Sequence, residues 1–248
     1  MARYSTQAVL LAVRNWGEAD KMVTFFSRDL GKVAAAAYGC RRPRSALSGG
    51  MQVFSLLELQ VSEGTNIDAI RQCEIVNAFR HLRENLEYMA YASFIAELVI
   101  AFCPERHPEP EVYDLLLGAL AAIGQRNPRV VALAAACQLL ERTGSQPSYE
   151  VCARCGETSG ALYFSAAEGG ALCEACRGEA DEVLPETVRD FFLWLRSLDF
   201  QNPAPLRVNG ATLVQAEKLL LEYLIYLHEK PLKSLDFIRQ LALLPKAQ

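Results

Sequence analysis

The chain has 248 residues, of which 51% are apolar and 22% are charged, and this composition excludes a disordered, collagen-like or low-complexity protein. Its apolar runs are far shorter than the ~18 residues that a membrane-spanning helix requires, and no signal-peptide pattern stands at the N-terminus, which favours a cytoplasmic protein. The net charge of −4 is uneven, because residues 1–50 carry eight Lys or Arg against three Asp or Glu. Any binding of a polyanion is therefore expected in the N-terminal segment.

The N-terminal segment is predicted to form a small β-barrel. Short, mostly apolar runs at residues 7–13, 21–26 and 33–38 precede an alternating pattern at 57–62 and a weaker one at 67–75. Five short strands separated by turns fit an OB-fold, which is a five-stranded barrel that binds oligonucleotides. An SH3-like barrel is the competing architecture.

A long polar loop at residues 39–50, called the basic loop below, joins the third predicted strand to the fourth. Loops of this length in compact domains are usually functional or disordered. Guanidinium groups match the geometry of phosphates, and a tyrosine beside the loop offers a ring on which a base can stack. The alternative is a solvated loop whose charges only confer solubility. The residues predicted to contact nucleic acid are Arg14, Arg28, Lys32, Tyr38, Arg41, Arg42 and Arg44.

From residue 79 onward the apolar residues recur with a helical period. The first of these helices places Leu82, Leu86, Met89 and Phe94 on one side. The pattern predicts an α-helical bundle that is interrupted by a cysteine-rich insert. The predicted helices cover residues 79–102, 112–123, 130–142, 185–198, 211–228 and 235–241. The predicted domains are 1–78 for the barrel, 79–148 and 181–248 for the two parts of the bundle, and 149–180 for the insert.

The insert carries the strongest chemical signal in the sequence. Cys152 and Cys155 form one C-x-x-C pair, Cys173 and Cys176 form another, and 17 residues separate the two pairs. Two residues between cysteines allow a tight turn to direct both sulfurs at one metal, and two such turns supply the four thiolates that tetrahedral zinc prefers. A small hairpin is predicted between the pairs. We therefore predict a structural zinc ion at these four cysteines.

Other interpretations of these cysteines remain open at this stage. Two disulfides need an oxidising compartment, and a redox C-x-x-C usually occurs singly beside a βαβ unit. The sequence His107-Pro108-Glu109 upstream of a C-x-x-C partly matches the zinc deaminase pattern, but Val151 stands where that pattern has proline. A zinc-dependent deaminase-like enzyme and a zinc-bearing protein-interaction module are therefore kept as alternatives. The isolated cysteines Cys40, Cys73, Cys103 and Cys137 are predicted to be small core residues.

No phosphate-binding glycine motif, nucleophile elbow or metalloprotease motif occurs in the sequence, which favours binding over catalysis. A strand–turn–Gly-Lys segment at residues 26–33 is followed by a G-x-R-R-x-x-S loop at 38–45 and a strand at 53–59. In these segments, and in the order of barrel, helices and four-cysteine insert, the chain resembles the RecO family of bacterial recombination mediators. Cys40 departs from the family, which more often has a small residue such as alanine there.

The resemblance implies an N-terminal OB-fold that binds single- and double-stranded DNA and a protein without catalytic residues. Such a protein anneals complementary strands and acts on DNA coated with single-strand-binding protein. With RecR it helps to load RecA, in the cytoplasm at the nucleoid. The family implies that Lys32, Arg41, Arg42 and Arg44 neutralise phosphates, and that zinc is structural, because not all members keep the cysteines.

The acidic tail of single-strand-binding protein would need an apolar pocket with a basic rim on the helical part of the chain. The residues predicted for this partner site are Leu139, Leu140 and Arg142 near the end of the third helix. A helix C-terminus that is capped by an arginine explains the same residues equally well.

Overall fold

The computed structural model describes residues 2–158, 162–202 and 208–243. The chain divides into two compact units: the first extends to Pro128 and resumes at Ser234, and the second is Arg129–Lys233. The predicted division into four segments stays a prediction, and its residues 1, 159–161, 203–207 and 244–248 lie outside the described residues. Within the part of the chain that is described, no helix is long and apolar enough to cross a membrane.

Five strands of the first unit close into a barrel in the order β1-β2-β3-β5-β4, which confirms the predicted five-stranded module. Its strands are β1 (Arg3–Trp16), β2 (Asp20–Ser27), β3 (Gly31–Ala37), β4 (Leu56–Ser62) and β5 (Asp68–Asn77). The long β1 pairs with β4 from Arg3 to Val9 and with β2 from Ala8 to Trp16, and the pairing with β2 contains a bulge between Leu10 and Ala12. A bulge bends a strand, which allows one strand to serve both neighbours in a closed sheet.

The alternation predicted for the fifth strand, which placed Ile70 on the face opposite Cys73, is wrong. The β4–β5 register shifts between Ile70 and Gln72, so Ile70 and Cys73 both contact the barrel core although they are three residues apart. A shift of one residue moves every following side chain to the opposite face. The sequence pattern alone assumes an unbroken period of two and therefore missed this change.

The carboxylate of Asp68 stabilises the closure of the barrel. Asp68 is the first residue of β5, pairs with Ala35 of β3, and has a fully buried side chain. Tyr4 of β1 donates its hydroxyl to Asp68 Oδ2 at 2.5 Å, and the Arg106 guanidinium donates to the same oxygen at 2.7 Å. Burial raises the pKa of this carboxyl, but these donors and the Gly64 amide outweigh burial and hold the pKa below its ordinary value.

We expect replacement of Asp68 with asparagine to destabilise the protein by about 2 kcal/mol, because three donors lose a buried charged acceptor. A lowered pKa contributes stability that is complete above the unfolded-state value of about 4 and is lost as the pH falls through the folded-state value. The thermal midpoint of the native protein should therefore fall more steeply below about pH 4 than that of Asp68→Asn. Thermal unfolding at a series of pH values measures this difference in the fall of the midpoint. Glu63→Gln, at an exposed neighbour, is the control, and equal acid sensitivity of native protein and Asp68→Asn would contradict the assignment.

Seven helices occur among the described residues. They are α1 (His81–Glu84), α2 (Leu86–Phe102), α3 (Pro110–Ala122), α4 (Pro128–Arg142), α5 (Glu186–Ser197), α6 (Gly210–His228) and α7 (Lys233–Leu243). The single helix predicted at 79–102 is therefore two helices, because the Asn85 side chain accepts hydrogen bonds from the amides of Glu87 and Tyr88 and caps α2. Leu86, which was predicted on the apolar stripe, is 56% exposed.

In the first unit, α2 packs on β1 and α3, and α3 packs on β2. The returning helix α7 is attached to α2, because both the amide and the hydroxyl of Ser234 donate to Glu97 Oε2, at 2.8 and 2.6 Å. The second unit contains α4, α5, α6 and a three-stranded sheet of order β7-β6-β8. Its strands are β6 (Leu162–Ser165), β7 (Gly170–Cys173) and β8 (Glu182–Leu184). The hairpin β6–β7 confirms the prediction, whereas the short β8 was missed.

Candidate nucleic-acid interface and metal centre

The basic loop is anchored in the barrel core by its apolar side chains. Cys40, Leu47 and Met51 belong to the core cluster of the barrel, and burial raises the pKa of the Cys40 thiol, which keeps it neutral. Between these anchors, residues 41–44 are exposed. The loop is therefore held at both ends while its arginines project into solvent. Arg41, Arg42 and Arg44 are called the arginine group below.

The start of the basic loop is bound to the turn between β1 and β2. The Arg41 amide donates to Ala19 O at 2.8 Å, and the Arg41 side chain donates to Gly17 O at 3.2 Å. Two residues earlier in the loop, the Gly39 amide donates to Asp20 Oδ1 at 2.7 Å. These contacts bring the turn and the loop together at one end of the barrel.

Two exposed aromatic rings meet at the same end. Trp16, the last residue of β1, contacts Tyr38, the first residue after β3, with ring centroids 6.0 Å apart. Arg14 is exposed two residues before Trp16. The sequence reasoning named Tyr38 and Arg14 but missed Trp16, although a tryptophan beside Gly17 in a basic segment was a usable signal. Trp16 and Tyr38 are called the aromatic pair below.

Two of the predicted nucleic-acid contacts are engaged elsewhere in the first unit. Lys32 donates through Nζ to the carbonyl of Ile100 near the end of α2 at 2.6 Å, and its own carbonyl accepts from the Arg106 amide at 2.9 Å. Arg28 forms an ion pair with Asp114 of α3. The turn between β2 and β3 therefore contacts the helices. The arginine group and Arg14 remain the predicted phosphate contacts with no carboxylate partner among the described residues.

The residues predicted for the partner site do not form a surface. Leu139 is 2% exposed and Leu140 is 0% exposed, so neither side chain is available to an incoming peptide. Arg142 donates to the carbonyl of Gln138 at 3.0 Å, one turn back along α4. This is the arrangement of a helix C-terminus capped by an arginine.

The four thiols predicted to bind zinc come together in the second unit. The sulfur atoms of Cys152, Cys155, Cys173 and Cys176, called the four-cysteine cluster below, all lie within 4.8 Å of one another. The sulfurs of Cys155 and Cys173 are 3.7 Å apart, too far for a disulfide bond of about 2.05 Å. Four sulfurs at about 2.3 Å from a tetrahedral zinc ion lie about 3.8 Å from each other. The cluster can therefore hold a metal ion of this kind.

Two tight turns direct these sulfurs inward. The amide of Gly156 donates to Cys152 O at 2.9 Å, and the amides of Cys176 and Arg177 donate to Cys173 O at 3.0 Å each. Backbone amides, that of Cys173 first, lower the pKa of the Cys152 thiol to about 6. The Arg154 side chain, which is paired with Glu168, also donates to Cys176 O at 3.2 Å and so links the two turns.

The deaminase-like alternative requires a metal position that is open to water and takes a ligand from its H-x-E segment, whereas the four-cysteine cluster offers four thiols. His107 instead lies in a segment that pairs with β3. A Cβ placed on Gly31 would stand 1.8 Å from His107 O, so only glycine permits this approach. The imidazole of His107 is exposed and lies 3.7 Å from the carboxylate of Glu109. The packing of the loop between α2 and α3 therefore accounts for the sequence His107-Pro108-Glu109.

Both parts of the chain match one protein family. The family model "Recombination protein O N terminal" matches residues 1–79, and "Recombination protein O C terminal" matches residues 83–236. The DNA repair protein RecO of Symbiobacterium thermophilum is 35% identical over 246 residues, which cover 96% of this chain and 97% of the relative. That of Pelotomaculum thermopropionicum is 33% identical over 245 residues, with 96% and 94% covered. That of Roseiflexus is 32% identical over 240 residues, with 95% and 84% covered.

Proposed function

This chain belongs to the RecO family of DNA repair and recombination proteins, and we propose that it is a recombination mediator that binds DNA and anneals complementary single strands. With RecR it would help to load RecA onto DNA coated with single-strand-binding protein. The family is one of repair mediators and not of enzymes. In keeping with this, the proposed activity makes and breaks no covalent bond.

The observation that carries this proposal is the position of the arginine group beside the aromatic pair at one end of the barrel. We assign the barrel to the OB-fold, on the grounds of its five strands and their closed order β1-β2-β3-β5-β4. Arginines at the end of a barrel can bind the phosphates of single- and double-stranded DNA, and such contacts do not depend on the base sequence. A mediator that must act on any broken DNA needs this kind of contact.

Annealing follows from charge neutralisation together with exposed bases. Two single strands repel each other through their phosphates, and cations on a protein surface reduce that repulsion. Contacts directed at the backbone leave the base edges free to pair. The protein would therefore bring strands together and release the duplex, acting in the cytoplasm at the nucleoid.

We propose that the four-cysteine cluster holds a structural zinc ion. Its four thiol ligands leave no position for a water or a substrate, which is the arrangement of structural and not of catalytic zinc. The zinc would hold the hairpin β6–β7 to the segment that precedes it, since the Ala153 amide donates to Ala171 O at 2.8 Å.

The test is an annealing assay with two complementary strands that carry a fluorophore and a quencher. We expect the protein to accelerate quenching, both with naked strands and with strands coated by single-strand-binding protein. The variant Arg28→Ala should anneal like the native protein, because Arg28 is already paired with Asp114. Failure to accelerate annealing at concentrations that bind both strands would contradict the proposal. Addition of RecR and RecA to the coated strand then measures filament formation.

A further inference from the structure

The aromatic pair is exposed although its side chains are largely apolar. Trp16 is 42% exposed and Tyr38 is 47% exposed, and their planes are inclined at 45°. The rings contact each other, yet about half of each side chain remains open to solvent. Large aromatic side chains gain from burial, so two rings left open together at the tip of a barrel provide surface for a ligand.

The aromatic pair is held in place by the backbone. Trp16 lies opposite Asp20 in the β1–β2 register, and Asp20 Oδ1 accepts the amide of Gly39, the residue after Tyr38. Gly39 has φ +65°, a conformation that residues with a side chain rarely adopt, so the chain turns away immediately after the ring. The rings are therefore positioned before a ligand arrives, which reduces the entropy lost on binding.

Positive charge lies directly beside the rings. A Cβ placed on Gly39 would stand 3.6 Å from Arg42 Cδ, so the Arg42 side chain passes over the residue that follows Tyr38. Arg41 is hydrogen-bonded to the carbonyl of Gly17, the residue that follows Trp16. An arginine side chain therefore contacts the residue that follows each ring: Arg42 lies beside Gly39, and Arg41 binds Gly17. A nucleotide presents the same combination, a flat base joined to an anionic phosphate.

We propose that the aromatic pair stacks an unpaired base while the arginine group holds the flanking phosphates, so that this end of the barrel selects single-stranded DNA over duplex. The assignment rests on the proposed function. In a duplex each base face is covered by the neighbouring base pairs, so rings at a surface gain a stacking contact only from an unpaired base. Stacking is tolerant of base identity because every base has a π-face. One stacked base fixes the strand while its neighbours stay free to pair.

The test compares binding of an oligo-dT strand, an abasic strand of equal length and a duplex, with native protein and the variants Trp16→Ala, Tyr38→Ala and Trp16→Phe. The abasic strand keeps the phosphates and lacks the bases. We expect each alanine variant to weaken oligo-dT binding about 5- to 150-fold. The alanine variants should bind the abasic strand and the duplex almost as the native protein does. Trp16→Phe, which keeps an aromatic ring, should keep most of the native affinity for oligo-dT.

A second readout uses the two tryptophans of the chain, Trp16 and Trp194. In the variant Trp194→Phe, oligo-dT should quench the remaining fluorescence, whereas the abasic strand should not. Equal affinity of the native protein for oligo-dT and abasic strands, or equal losses for all three ligands in the alanine variants, would overturn the stacking proposal and leave DNA binding intact. Absence of binding to every ligand would instead overturn the proposed function itself.

Discussion

Replacing Cys173 with serine is expected to release the metal ion and to destabilise the second unit by more than about 4 kcal/mol, because structural zinc contributes directly to folding free energy. Cys173 is the last residue of β7, so it joins the metal site to the hairpin. The neighbouring strand β6 carries the buried Phe164, which contacts Tyr223 of α6 edge-on and Tyr149 face-on. Loss of the metal should therefore loosen packing beyond the insert.

Metal content per chain and the thermal midpoint are the two measurements for Cys173→Ser. The control is Cys73→Ser, which makes the same chemical change in the barrel, outside the four-cysteine cluster, and should keep one zinc per chain. Affinity for single-stranded DNA should be similar in the two variants, since the proposed DNA contacts belong to the first unit. A full equivalent of zinc and an unchanged midpoint in Cys173→Ser would show that the metal site is assigned wrongly.

The four-cysteine cluster was predictable because its information is local. A C-x-x-C pair specifies its own turn, and two such pairs joined by a short hairpin need no knowledge of the rest of the chain. The five strands were predictable for a similar reason, since each shows its period within a few residues. The sequence resemblance to the RecO family was confirmed by matches over both parts of the chain.

The partners of individual side chains were not predictable, because they depend on which distant segments meet. Lys32 follows a glycine in a basic segment and looked like a phosphate contact, but its ammonium is bound by the carbonyl of Ile100, 68 residues later. Leu139 and Leu140 were proposed for a surface and lie in the interior. Asn85 ended one helix and began another through a side-chain cap that apolar periodicity does not register.

The same tertiary contacts limit the candidate DNA interface to one end of the barrel. At the turn between β2 and β3, Lys32 binds the carbonyl of Ile100 in α2 and Arg28 binds Asp114 in α3. Because both cations have partners within the chain, they are less available to phosphates. At the other end of the barrel, the connection from Tyr38 to Arg44 carries the arginine group, which forms no ion pair with a carboxylate among the described residues, although the adjoining turn carries Glu18 and Asp20. The net positive charge of the N-terminal segment is therefore effective mainly at one end of the barrel.

Removing the arginine group, as Arg41→Ala, Arg42→Ala and Arg44→Ala in one protein, is expected to give the largest loss of DNA affinity. If each arginine neutralises one phosphate, the slope of log affinity against log salt for a single strand should become shallower by about 2. At 0.1 M salt the same counterion release corresponds to roughly 100-fold weaker binding. Fluorescence anisotropy of a labelled strand across a salt series measures both quantities.

A matched variant separates a specific site from general attraction to a basic surface. Arg3→Ala, Arg28→Ala and Arg80→Ala remove the same number of charges from exposed positions of the same unit. Long-range attraction falls equally in the two variants, whereas release of condensed counterions requires direct phosphate contact. We therefore expect the matched variant to keep the native slope. Equal salt slopes in both variants would place the phosphate contacts outside the basic loop. A shallower slope in the arginine-group variant alone would locate these contacts at the end of the barrel where the aromatic pair lies.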